Sequence, residues 1–185
     1  MSVTTDWEIS GYEVRQRIAS GGMSEVFIAV RLADSRQVVV KTSRSSSDQQ
    51  TRRRLVREHN LLQAIDHPNV AHVLDSGCID DRPYLVLEYI QGGSLRELLR
   101  PGKPLAWHQF SSIVRQLSDA LSALHAQNIL HRDVKPENVL LDAQGQVKLI
   151  DLSIGTETRE VGALTGQNQL LGTVDYMAPE QRHRI

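Results

Sequence analysis

The chain has 185 residues, and its 21 lysines and arginines almost balance 22 aspartates and glutamates, for a formal net charge of −1. That balance excludes a general nucleic-acid binder, which needs a basic excess, while a hydrophobic content of 40% is sufficient for the core of one domain. No apolar run approaches the ~20 residues of a membrane span, Met1-Ser2-Val3-Thr4-Thr5-Asp6 has neither the basic nor the apolar part of a secretory signal, and the single Cys78 makes no internal disulfide or structural zinc site. A cytoplasmic protein is expected.

Residues 1–10 read as an N-terminal tail. Tyr12, Val14, Gln16 and Ile18 then alternate as a strand does, and Val26 to Leu32 makes a second strand. Between them lies Ile18-Ala19-Ser20-Gly21-Gly22-Met23-Ser24-Glu25-Val26, a small-residue loop. Gln37-Val38-Val39-Val40-Lys41 is a third, β-branched strand that closes on a lone lysine. Leu55, Glu58, Leu62 and Ile65 follow at helical spacing, which sets Glu58 on the apolar stripe. A carboxylate turned toward a core needs a cation, and Lys41 is the candidate. His67-Pro68-Asn69-Val70 ends that helix, because proline disfavours helical geometry in the residue before it.

Pro83 to Tyr89 predicts a further buried strand, and Gln91-Gly92-Gly93 a flexible connection. Phe110, Ile113, Val114, Leu117, Ala120, Leu121 and Leu124 trace a long amphipathic helix. The densest chemistry comes next, in His131-Arg132-Asp133-Val134-Lys135-Pro136-Glu137-Asn138. It holds a proton acceptor in Asp133, a cation in Lys135 and an amide oxygen in Asn138, and the proline excludes a continuous helix. Ile129-Leu130 and Val139-Leu140-Leu141 flank it as two short buried strands, and Val147-Lys148-Leu149-Ile150-Asp151 returns through the turn Asp142-Ala143-Gln144-Gly145. That hairpin brings Asp151 close to Asn138, and two such oxygen ligands suit Mg²⁺, a hard cation that takes few protein ligands.

The eight-residue loop resembles the catalytic loop of protein kinases, and Lys135, two places after Asp133, is similar to the serine/threonine class. Gly172-Thr173-Val174-Asp175-Tyr176-Met177-Ala178-Pro179-Glu180 resembles the end of a kinase activation segment. Gly21-Gly22-Met23 resembles the bacterial form of the phosphate-covering loop. The resemblance implies an α+β, bilobal fold: a small antiparallel β lobe with one helix over residues 11–90, a hinge, and an incomplete, mainly helical large lobe over residues 91–185.

In function the resemblance implies transfer of the γ-phosphate of Mg-ATP to serine or threonine hydroxyls of a protein substrate. Asp133 is then the catalytic base and Lys135 offsets charge on the γ-phosphate. Ile18 to Val26, Lys41 paired with Glu58, and the hinge residues Glu88 and Ile90 hold ATP, with Leu87 beside the base; Asn138 and Asp151 hold Mg²⁺. Arg132 is expected to hold a phosphorylated activation loop, with Thr165 ranked before Thr156 and Thr158, and Thr173 is expected to bridge Asp133 and Lys135. The basic cluster Arg52-Arg53-Arg54 with Arg57 is a solvated helix face or a dock for that phosphate.

Several positions depart from the family's pattern. Ala19 and Ser24 stand at the first and third glycines of the phosphate loop, which predicts weakened ATP binding. Asp151-Leu152-Ser153 replaces Asp-Phe-Gly, keeping the metal ligand and removing the conformational freedom of the glycine. The family's later helices do not follow within these residues, so a fragment, a truncated product or completion by a partner chain is expected, with self-association through the uncovered apolar face. The alternative function is a catalytically inactive remnant or pseudokinase that binds a nucleotide or a partner.

Overall fold

The computed structural model describes residues 5, 7–20, 24–43, 65–151, 176, 177 and 179. The chain forms two compact units, one of Met1–Asp66 with Ala71–Tyr89 and one of His67–Val70 with Ile90–Ile185.

In the first unit β1 (Tyr12–Ser20), β2 (Ser24–Arg31), β3 (Arg36–Ser43), β4 (Val73–Ile79) and β5 (Arg82–Glu88) form one antiparallel sheet in the order β1-β2-β3-β5-β4. The three strands expected before residue 44 are all present. The β-branched run of β3 explains its central place, since such side chains pack well on a pleated surface. Val38 and Val40 are fully buried on one face, opposite Ala29 and Phe27 of β2. Lys41, one position on, falls on the other face, because alternate residues of a strand point to opposite sides. The expected tail contributes to this core: Trp7 and Ile9 are 6% and 4% exposed, and the Trp7 ring meets Phe27 edge-on at 5.2 Å.

Strand β4 was not expected from the sequence. Asp75, Ser76 and Gly77 interrupt its apolar pattern, yet it pairs along β5 from Val73↔Leu87 to Ile79↔Arg82. A Cβ at Gly77 would lie 2.4 Å from the Tyr84 hydroxyl, so the Tyr84 ring would have to shift to admit one.

The second unit is built on a three-stranded sheet of β6 (Gly92–Ser94), β7 (Val139–Asp142) and β8 (Val147–Leu149). The expected hairpin is β7 and β8, with Gly145 at φ 78° in its turn. The glycine segment expected to be a flexible connection is instead strand β6, paired Gly92↔Asp142 to Ser94↔Leu140. A Cβ on Gly92 would collide with the Leu141 carbonyl at 1.8 Å, so only glycine admits this approach. The short helix α1 (Leu95–Leu98) follows, capped by the Ser94 hydroxyl accepting from the Glu97 amide.

The expected long helix is α2 (Trp107–Ala126). Ile113, Ala120 and Leu124 are its buried face, whereas Phe110 and Val114 of the same apolar pattern are 47% and 44% exposed. The segment at 67–70, expected only to stop a helix, is knitted into this unit. Buried Asn69 donates through its amide to Gln116 Oε1 at 2.9 Å and to the Val147 carbonyl at 2.8 Å, and its own carbonyl accepts from Leu149 at 2.8 Å.

Candidate active site

The loop of residues 131–138 follows shortly after the end of α2. Asn128 takes φ 58° and turns the chain, and Ile129 buries its side chain while Leu130 is 58% exposed. These two residues form no strand, which corrects the expectation of a strand on that side; β7 supplies the one on the other side. A short 3₁₀ turn, Pro136–Asn138, opens on the proline, whose fixed φ suits the start of a helical turn. It delivers Asn138 beside Asp133.

His131 anchors the loop. It is 2% exposed, and its Nδ1 accepts the Asp133 backbone N–H at 3.4 Å while its Nε2 lies 3.0 Å from the Ile150 carbonyl. An N–H donor on one ring nitrogen and a carbonyl acceptor on the other define a neutral imidazole protonated at Nε2. Burial, the largest cause, pushes the His131 pKa below its ordinary value and favours that neutral form. One ring thus holds both the start of the loop and the strand end that leads to Asp151.

The functional groups converge on Asp133. Its Oδ2 accepts from Lys135 Nζ at 2.7 Å and from Asn138 Nδ2 at 2.9 Å, and its backbone carbonyl accepts from the same amide at 2.8 Å. Asp133 Oδ1 is buried and has no hydrogen-bond partner among the described residues. A buried carboxylate oxygen without a donor is costly.

The Asn138 amide is oriented by its partners, since both are acceptors and only the nitrogen can face them. Its oxygen is therefore turned away from Asp133. The Ile150 amide donates to the Asn138 carbonyl at 2.9 Å, which ties the segment carrying Asp151 to this turn. An amide oxygen and a carboxylate are hard oxygen donors of the kind that Mg²⁺ shared with phosphates takes. Arg132 and Asp151 both adopt positive φ, 64° and 61°, a strained geometry for residues other than glycine that gathers at functional sites.

In the first unit the ends of the small-residue loop are the hairpin pairs Ala19↔Val26 and Ser20↔Glu25, with Ile18 before them and Ser24 opposite Ser43. Lys41 lies in β3 between Val26 and Leu85. Glu88 ends β5, where the His72 carbonyl receives its backbone N–H at 3.0 Å and the His72 N–H donates to the Glu88 carboxylate at 2.9 Å; Ile90 opens the longer segment of the second unit. Gly21, Gly22, Met23, Glu58, Thr156, Thr158, Thr165, Thr173 and the basic cluster Arg52-Arg53-Arg54 with Arg57 lie outside the described residues. Asn69 and Gln116, which lock the β7–β8 hairpin behind the loop, were missed by sequence reasoning.

With this geometry in place the family is defined: the chain belongs to the protein kinase domain family, whose model matches residues 12–182. It is 36% identical over 176 residues to the serine/threonine-protein kinase PrkC of Bacillus subtilis, covering 94% of this chain and 27% of that protein. It is 37% identical over 176 residues to the serine/threonine-protein kinase PknL of Mycobacterium tuberculosis, covering 93% of this chain and 43% of that protein. The chain therefore spans about a quarter to under half of these relatives. Among solved structures, the kinase domain of Mycobacterium tuberculosis PknI matches with a TM-score of 0.68 and 26% identity, over 84% of this chain and 64% of that one.

Proposed function

We propose that this chain carries the catalytic groups of an ATP-dependent serine/threonine protein kinase, acting on protein hydroxyls in the cytoplasm. The single observation behind this reading is the state of Asp133: one oxygen is held by Lys135 and Asn138, and the other is buried without a donor. That arrangement suits a base that orients a hydroxyl and takes its proton during phosphoryl transfer.

Asn138 and Asp151 would hold Mg²⁺, which supplies positive charge to the phosphates of ATP. Lys41 holds the α- and β-phosphates, and the stretch from Ile18 to Val26 covers them. Lys135, already paired with Asp133, offsets the charge that develops on the transferred group. The backbone at Glu88 and Ile90 takes the adenine. Glu58, Arg132, Thr165 and Thr173 keep the roles expected of them, ion-pair partner of Lys41 and regulators of the activation segment. A non-catalytic remnant is the weaker reading, because Lys41, Asp133, Asn138 and Asp151 are all retained.

The class of reaction is tested by incubating the protein with γ-labelled Mg-ATP and a mixed protein substrate, then identifying the labelled amino acid after acid hydrolysis. Label on phosphoserine and phosphothreonine is expected. Label confined to phosphotyrosine, or none above that of a Lys41→Met variant, contradicts the proposal.

A further inference from the structure

The five-stranded sheet has β1 at one edge and β4 at the other. A side chain nonetheless joins the two edges: the Tyr12 hydroxyl donates to Asp75 Oδ2 at 3.0 Å, across 63 residues of chain. The sheet is therefore curled over the core around Trp7 and Phe27, against which the Tyr12 ring packs. Both ends of the bond are prepared for it. Asp75 stands at an irregularity of the β4–β5 ladder, and a bulge of this kind re-aims a side chain. The Ser76 amide donates to Asp75 Oδ1 at 2.7 Å, which fixes the carboxylate and leaves Oδ2 for the phenol. Burial first, and the bond to Asp75 second, push the Tyr12 phenol up to about 12, so it remains a donor at neutral pH.

The bond matters because of what the rest of β1 lacks. Its first three residues are partly buried, but every residue from Arg15 to Ser20 is exposed. Its ladder to β2 is irregular twice, between Val14 and Gln16 and again between Arg17 and Ala19. Strand β2, by contrast, pairs with β3 without interruption from Ser24↔Ser43 to Arg31↔Arg36. Ser24 is thus placed by a regular ladder, whereas Ile18, Ala19 and Ser20 are placed by a strand that no core holds beyond Val14. The direction of that strand is set where it is anchored, at Tyr12. Eight residue steps carry a strand roughly 26 Å, so a tilt of about 3° at Tyr12 displaces Ser20 by about 1.4 Å.

We propose that Tyr12 and Asp75 are positioning residues for the nucleotide: their hydrogen bond fixes the direction of β1 and so holds Ile18, Ala19 and Ser20 against the phosphates. The proposal rests on the reading of those three residues as part of the ATP cover. It extends that reading to two side chains at the opposite end of the strand, which act through β1 and touch no phosphate.

The test measures binding without catalysis, by calorimetric titration of the full chain with Mg-ATP and, separately, with adenosine. Tyr12→Phe keeps the ring in the core and removes the donor, and Asp75→Ala removes the acceptor. Each is expected to weaken Mg-ATP binding by roughly threefold to tenfold, within what one hydrogen bond to a charged group can transmit. Adenosine has no phosphates, and its affinity should change by less than about twofold. The double variant should lose no more than either single one. Asp75→Asn, whose amide can still donate to the Tyr12 oxygen, should keep most of the wild-type affinity. A general loosening of the sheet would weaken both ligands alike, so equal losses for Mg-ATP and adenosine would overturn the proposal. Mg-ATP affinity unchanged in both single variants, or lost as fully in Asp75→Asn as in Asp75→Ala, would overturn it too. Wild-type protein that binds neither ligand would overturn the kinase reading itself, and this proposal with it.

Discussion

The side-chain amides of Asn69 and Gln116 are joined by a hydrogen bond of 2.9 Å, and both reach the same residue of β8: Asn69 donates to the Val147 carbonyl at 2.8 Å, and Gln116 Oε1 accepts the Val147 amide at 2.9 Å. Gln116 Nε2 also donates to the Gly145 carbonyl at 3.1 Å. The hairpin that leads to Asp151 is thus clamped to helix α2 by two neutral side chains. Asn69→Ala leaves a buried carbonyl and an amide oxygen short of a donor and should cost about 1–3 kcal/mol in urea unfolding. Gln116→Ala should cost a similar amount, and the double variant less than the sum. Full additivity would mean that the two do not act together.

Trp7 is 6% exposed against Phe27, and it precedes the first strand. Trp7→Ala should destabilise the first unit by about 3–5 kcal/mol, as for other buried aromatic truncations. Thermal unfolding followed by circular dichroism measures this; an unchanged midpoint would place Trp7 outside the core.

His131 makes stability depend on pH in a defined direction. Its folded pKa is lowered from 6.5, chiefly by burial, so the folded protein binds this proton less readily than the unfolded chain. The contribution is fully present above the unfolded value and is lost as pH falls below 6.5 toward the folded value. The urea midpoint should drop between about pH 7 and pH 5, and His131→Phe should reduce that drop. An identical pH profile in the variant would contradict the assignment.

Trp107, Phe110 and Val114 stand one turn apart on α2, with exposures of 78%, 47% and 44%, and the Trp107 and Phe110 rings lie 5.7 Å apart. Contiguous exposed apolar surface of this kind drives association. Residues 1–185 expressed alone should therefore be oligomeric by light scattering, and Trp107→Gln with Phe110→Lys should shift them toward monomer. A monodisperse wild-type monomer would exclude self-association through this face.

What could be read in the sequence follows from how far apart the interacting residues lie along the chain. Asp133, Lys135 and Asn138 were legible because one short loop carries all three, so spacing alone keeps them together. Strands β1, β2, β3, β5, β7 and β8 were legible through alternation and β-branched runs. Asn69 was not, because its two side-chain hydrogen bonds span 47 and 78 residues and a polar residue after proline looks like an ordinary turn. Trp7 and Ile9 left only a two-residue alternation around Glu8. Strand β6 was hidden by its glycines, which look like a linker and are needed for close approach to β7.

The account depends most on Asp133 as the proton acceptor. The direct measurement compares wild type with Asp133→Asn in steady-state transfer of phosphate from γ-labelled Mg-ATP, alongside the nucleotide dissociation constant of each. A fall in kcat of about 10²–10⁴ with nucleotide affinity essentially unchanged is predicted, the range expected for loss of a positioned base. Turnover equal to wild type, with contaminating kinase excluded, would contradict it.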